Sequence, residues 1–193
     1  MHDNASSADL AASVKILVAG GFGIGKTTMV SSVSEIAPLR TEETISELST
    51  GIDDLSGVEG KTTTTVALDF GRITIDESLV LYLFGTPGQD RFWFLWDELV
   101  RGALGAVVLA DTRRLENSFA AIDYFERRGV LFTVAVNCFD SSQAYTIDEV
   151  REALDLDATT PIVLCDARDR ESCKSVLITL VEHLIFQAST SVA

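Results

Sequence analysis

The chain has 193 residues, 47% of them hydrophobic and 23% charged, a globular mix sized for one domain with a full core rather than two. Its basic side chains number 15 against 29 acidic ones, giving a net charge of −14 and an isoelectric point near 4.4. That balance excludes nucleic acid or an anionic membrane as the main partner, but a compact polyanion can still be held in a locally positive pocket. The three cysteines, Cys138, Cys165 and Cys173, are odd in number and stand in apolar or helical surroundings, as reduced thiols of a cytoplasmic protein do. The opening "MHDNASSADLAAS" lacks a basic region followed by an apolar run, so no signal peptide is expected. No apolar stretch reaches membrane-spanning length, and "QASTSVA" carries no lipidation motif.

In chain order, residues 1–12 read as a disordered tail and 13–188 as a single domain. "VKILVA" (14–19) is a short apolar run ending in glycines, the pattern of a buried strand entering a phosphate loop. A helix is predicted over 26–37, stopping before Pro38. Residues 39–64 are polar, with scattered Gly, Thr and acidic side chains, and predict a long functional loop. "TVALDFGRITI" and "SLVLYLF" flank "DES" as the arms of a hairpin. "ALGAVVLAD" and "VLFTVAVN" read as two more buried strands. The helix between them carries Phe119, Ile122 and Phe125 at helical spacing and closes at Gly129. A helix over 147–154, the strand "PIVLC" (161–165) and an amphipathic helix over 170–187 complete the count. Strands alternating with helices predict an α/β fold with a mainly parallel sheet covered on both faces.

"GGFGIGKT" (20–27) fits G-x-x-x-x-G-K-[ST] between a predicted strand and a predicted helix, the context that motif needs. Its glycines let successive N–H groups point at phosphate oxygens, and the helix N-terminus adds partial positive charge. Gly20, Gly23, Ile24, Gly25, Lys26, Thr27 and Thr28 are the candidate phosphate-binding residues. Lys26 can bridge the β- and γ-phosphates, and the Thr27 hydroxyl can ligate Mg²⁺. For the base, guanine offers an N1–H and N2–H₂ donor edge that one carboxylate can accept with two hydrogen bonds, which adenine does not. "VAVNCFD" places Asn137 and Asp140 just past a strand end, where ligands of open α/β sheets bind. "CDAR" follows the last strand, where Asp166 and Ala167 can bring a backbone N–H to the guanine carbonyl. An Asx-rich turn is the alternative for the N-x-x-D pattern alone.

The succession "GGFGIGKT", "TTTTVALDF", "GTPGQ", "NCFD" and "CDAR" resembles the five motifs of Ras-like small GTPases, nearest the bacterial gliding-motility type and the conservon GTPases of actinomycetes. The resemblance implies a P-loop fold with a mainly parallel six-stranded sheet, about five helices and one antiparallel edge hairpin. It also implies GTP and GDP binding with Mg²⁺, slow hydrolysis, and a roadblock-type regulatory partner that reads the switch loops.

A switch threonine must reach Mg²⁺ only when the γ-phosphate is present. Register on "VALDF" favours Thr65 or Thr64, and most of the four threonines are simply β-prone. In "FGTPGQ", Gly88 can offer its N–H to the γ-phosphate, and Gln89 matches the residue that orients the attacking water. Gly85 stands where most relatives keep a metal-supporting aspartate, so one carboxylate fewer and a shallow Mg²⁺ dependence of GDP release are expected. Cys138 replaces the lysine of N-K-x-D, which predicts weaker guanine binding, and Phe22 crowds a loop position where fast relatives keep glycine.

After Gln89, "RFWFLWDEL" has five apolar residues in a row. Phe92, Leu95, Trp96 and Leu99 form the expected core stripe, leaving Trp93 and Phe94 as an outward partner surface. Arg91 is either an intrinsic arginine at the phosphates or a partner of Asp90, and Asp111 begins the turn after its strand. Two readings follow: a slow GTP-hydrolysing switch, and a GTPase-like scaffold that binds nucleotide without hydrolysing it. An ATP-using P-loop kinase would want an arginine-rich lid, which the chain does not display.

Overall fold

A computed structural model describes residues 12–37, 39–46, 63–88, 94–139 and 145–190. The apolar runs become strands of one sheet: β1 (Ala12–Ala19), β2 (Leu39–Ser46), β3 (Thr63–Asp76), β4 (Leu79–Gly85), β5 (Ala103–Ala110), β6 (Phe132–Asn137) and β7 (Ile162–Cys165). They lie in the order β2-β3-β4-β1-β5-β6-β7. β4, β1, β5, β6 and β7 run parallel, and β2 and β3 are antiparallel to their neighbours.

The six expected strands and the edge hairpin are present, and β2 is an addition drawn from the stretch predicted as loop. β3 spans 14 residues and β4 only 7. Positions 69–76 of β3 pair with β4, whereas positions 63–70 pair with β2. β3 thus gives one edge to β4 and its other edge to β2, so the part of β3 beyond β4 is still tied into the sheet. The rest of that predicted loop, 47–62, and the predicted tail up to residue 11 lie outside the described residues.

The runs are continuous rather than alternating because both faces of the sheet are covered. Ile16 and Val18 pack with Met29, Val30 and Val33 of α1 (Lys26–Val33) and with Val176, Leu177 and Leu180 of α5 (Arg170–Thr190). Leu17 and Ala19 face the other layer, with Trp96 of α2 (Trp96–Val100), Ile122 and Phe125 of α3 (Glu116–Arg128), and Val150 of α4 (Ile147–Ala153). Fully burying a side chain such as Phe125 contributes about 1.5–3 kcal/mol.

α1 ends four residues before the predicted stop. Ser34 turns extended (φ −64°, ψ 139°), and its hydroxyl accepts from the Arg72 amide at 3.2 Å, which draws the chain off the helix towards β3. α4 starts at a capping box in which Thr146 and Glu149 satisfy each other's amides. Among the described residues no helix is long and apolar enough to cross a membrane. Five parallel strands end on one edge of the sheet, so the segments after β1, β4, β5, β6 and β7 converge there.

Candidate functional site

The segment between β1 and α1 forms a cradle whose shape only glycine permits at two points. Gly20 has φ +132°, and a Cβ there would lie 2.6 Å from the Leu109 carbonyl oxygen. Gly25 has φ +109°, and a Cβ would lie 2.8 Å from Asn137 Nδ2. Lys26 at the first helical position is buried, and its Nζ donates to the carbonyls of Gly20 and Gly21, both at 2.7 Å. Burial pulls its pKa from 10.5 down to about 8, opposed by the nearby Asp69 charge. A buried ammonium that burial penalises at a helix start gains most from an anion placed beside it. Ile24 is buried, and Thr28 is exposed with its carbonyl accepting from Ser32 Oγ at 2.8 Å.

Next to Lys26, the Thr27 hydroxyl donates to Asp69 Oδ2 at 2.5 Å. Asp69 is 8% exposed and pairs directly with Gly85 across β3 and β4. A Cβ on Gly85 would come within 3.0 Å of Asp69 Cβ and 3.1 Å of its Oδ2. The expectation of one carboxylate fewer counted position 85 alone. Asp69 brings a carboxylate into the space that a side chain at position 85 would need, from the facing strand. Asp69, Gly71 and Ile73 alternate on the buried side of β3, where a lone carboxylate requires a partner, but which residue it faces follows only from the strand register. A hydroxyl and a carboxylate this close, both hard oxygen donors, fit a Mg²⁺ ion completed by phosphate oxygens and water. Thr64 and Thr65 lie in β3 opposite Ile45 and Thr44, and their side chains are outside the described set.

Thr86, Pro87 and Gly88 leave β4 towards the cradle. A Cβ on Gly88 would sit 2.6 Å from Lys26 Nζ and 3.0 Å from the Gly21 backbone, so the loop rests on the cradle beside Lys26. The Trp96 indole N–H holds the Pro87 carbonyl at 3.3 Å, and its ring packs on Tyr124 and Phe125. A cleft of about 410 Å³ opens here, with Gly21, Phe22, Gly88, Arg114 and Asn117 among its walls. Phe22 is 70% exposed on the cradle's rim. Of the aromatic run, Trp96 is buried and Phe94 is 57% exposed, as the stripe predicted. Leu95 and Leu99 are half-buried. Gln89, Asp90, Arg91, Phe92 and Trp93 lie outside the described residues.

At the other end, Asn137 is buried and ties two loops together. Its Nδ2 donates to the Ile24 carbonyl at 2.9 Å, and its Oδ1 accepts from the Ala167 amide at 3.0 Å. The Ala167 N–H expected to meet a guanine carbonyl is thus given to Asn137 here. Asp166 is clamped by Arg168, whose side chain and amide hold its carboxyl down to about 2, and its own amide donates to Ser172 Oγ at 2.9 Å. Cys138 is exposed, Cys165 and Cys173 are buried, and all are free thiols. Asp140 lies outside the described residues. Asp111 does begin its turn, with the Arg114 amide donating to its carbonyl at 2.9 Å.

A glycine cradle after the first strand, a buried lysine, a hydroxyl–carboxylate pair and an asparagine bridge on one sheet edge define a P-loop nucleotide-binding fold of the GTPase type. Residues 18–187 match the family described as a conserved hypothetical ATP binding protein, and the chain belongs to that family. Ras-related protein RABC2a of Arabidopsis thaliana is 24% identical over 172 residues, covering 83% of this chain and 72% of that protein. The uncharacterized protein MJ1339 of Methanocaldococcus jannaschii is 33% identical over 101 residues, 52% of this chain, and the matched stretch is 53% of that protein's length. Among solved structures, the fold is similar to the G domain of the T. maritima FeoB iron transporter, with TM-score 0.62 and 18% identity over 89% of this chain and 99% of that one. It is also similar to the cytosolic domain of the same transporter in a GDP form, with TM-score 0.64 and 17% identity over 91% of this chain and 64% of that one.

Proposed function

We propose that the protein is a cytoplasmic guanine-nucleotide switch akin to the gliding-motility and conservon GTPases, binding GTP and GDP with Mg²⁺ and hydrolysing GTP slowly. The observation that carries the guanine reading is the Asn137 bridge. By joining Ile24 in the cradle to Ala167 after β7, Asn137 holds the start of the N-x-x-D segment against the phosphate loop, which supports assigning base recognition to Asp140 in this reading.

In this reading the cradle amides and Lys26 hold the phosphates, and the Lys26 ammonium exchanges the Gly20 and Gly21 carbonyls for phosphate oxygens. Thr27, Asp69 and a switch threonine, Thr65 or Thr64, hold the Mg²⁺. When bound, that ion neutralises charge building on the phosphate oxygens. The Gly88 N–H closes on the γ-phosphate from the loop anchored by Trp96. Gln89 orients the attacking water, and Asp140 accepts from the guanine donor edge. Trp93 and Phe94, next to that loop, form the surface for a roadblock-type partner; Phe94 exposes 57% of its area.

The family's description favours a second reading, an adenine-nucleotide protein. Asp140 speaks against it, because adenine presents no paired donors to a carboxylate. The exposed Phe22 ring on the cradle supports a third, a scaffold that binds nucleotide without turnover. Single-turnover assays with GTP and with ATP separate them. GTP should be hydrolysed, and Gln89→Leu should slow it by about tenfold or more with GDP affinity within about twofold of wild type. Turnover of ATP alone would overturn the guanine reading, and an unaffected Gln89→Leu would overturn the role of Gln89.

A further inference from the structure

Directly after β5 stand Asp111, Arg113 and Arg114, none of them part of the cradle. Asp111 is 0% exposed, and its carboxylate is turned onto Arg113. Oδ1 accepts from Arg113 Nε and from the Arg113 amide, both at 2.9 Å, and Oδ2 accepts from Nη2 at 2.8 Å. Arg114 approaches the same carboxylate only to 3.8 Å. The Arg113 guanidinium also lies over the Phe139 ring, 3.9 Å from its centroid. Phe139 stands between Asn137 and Asp140, in the segment that reads the base. Its neighbour Cys138 is an exposed thiol with Sγ 3.6 Å from the Val136 carbonyl.

We infer that Asp111, Arg113 and Phe139 form a clamp that positions the base-reading loop after β6, supplying from the β5–α3 turn the cationic tie that Cys138 cannot supply from within the loop. The inference rests on the nucleotide-site reading above. A planar guanidinium suits the task because one group provides both an edge and a face. Its edge is fixed in direction by a carboxylate that sees no solvent, and its face is left to stack on an aromatic ring. Holding the Phe139 ring in this way fixes the end of the described segment from which Asp140 follows in the chain. Arg113 and Phe139 are positioning residues in this account and need not touch the nucleotide.

The test is equilibrium titration of the full chain with fluorescent GDP and fluorescent ADP, with inorganic pyrophosphate as competitor to read the cradle alone. Arg113→Ala and Phe139→Leu should each weaken the nucleotide that wild type prefers by about tenfold. Arg113→Lys should recover part of that loss. The double variant should be no weaker than the worse single one, because either change breaks the same clamp. Pyrophosphate affinity should stay within about twofold of wild type in every variant. Phe139→Leu keeps the bulk and removes only the π face, so it decides the matter should Arg113→Ala fail to fold. Wild-type affinity in Phe139→Leu, additive losses in the double variant, or pyrophosphate affinity falling in step would overturn the clamp. A wild-type preference for ADP would overturn the guanine reading alone, with the clamp then judged on ADP.

Discussion

Lys26→Met should change how the nucleotide-free protein's stability depends on pH. The buried ammonium is held at about 8 against an ordinary 10.5, which at 1.36 kcal/mol per unit is a penalty of about 3 kcal/mol for keeping it charged in the fold. Between pH 8 and 10.5 the unfolded chain binds a proton there that the folded chain has released. The penalty is therefore complete below pH 8 and vanishes as pH rises through that window, so stability climbs. Methionine at 26 has no such proton. It also forfeits the two 2.7 Å bonds to Gly20 and Gly21, so the slope is a cleaner readout than the absolute difference. Urea unfolding of both proteins across the window should show wild type gaining up to about 3 kcal/mol relative to Lys26→Met. Saturating GDP should remove that gain, because phosphate charges keep the lysine protonated. Parallel curves without nucleotide would refute a desolvated Lys26 at the cradle.

Asp69→Asn should raise the Mg²⁺ concentration needed to slow GDP release by about tenfold or more. Combining Asp69→Gly with Gly85→Asp should restore it, since the carboxylate then reaches the same space from the facing strand; an Asp69→Asn protein with unchanged Mg²⁺ dependence contradicts the metal role. Asn137→Ala leaves the Ile24 carbonyl and the Ala167 amide without their bonds of 2.9 and 3.0 Å, and should cost about 2–4 kcal/mol in denaturant unfolding. A loss below about 0.5 kcal/mol would mean the bridge is slack. Gly25→Ala should abolish nucleotide binding, read by labelled GDP, because the new methyl meets Asn137 Nδ2 at 2.8 Å on a backbone with φ +109°; retained binding refutes the cradle geometry.

Features written in local patterns were legible in the sequence. The phosphate loop, the parallel strands and the hairpin around Glu77 and Ser78 each declare themselves within a dozen residues, and the structure has them where the patterns put them. What stayed hidden depends on strands meeting across the sheet. Asp69 stands beside Thr27 in the space a side chain at 85 would need only because it lies opposite Gly85, a pairing set by the hairpin register. Strand β2 forms on the edge of β3 that faces away from β4, a pairing of separate segments that neither displays alone. Arg113 reaches Phe139 from a turn 26 positions earlier in the chain, because β5 and β6 are neighbours. The early end of α1 likewise follows from Ser34 meeting the Arg72 amide of β3 rather than from helix propensity around Pro38.

The guanine reading is tested most directly by moving the hydrogen-bonding character of one side chain. Asparagine at 140 can donate where aspartate can only accept, so Asp140→Asn should lose GDP affinity by about a hundredfold and bind xanthosine diphosphate better than GDP. Unchanged preference among GDP, ADP and xanthosine diphosphate in that variant would show that Asp140 does not read the base.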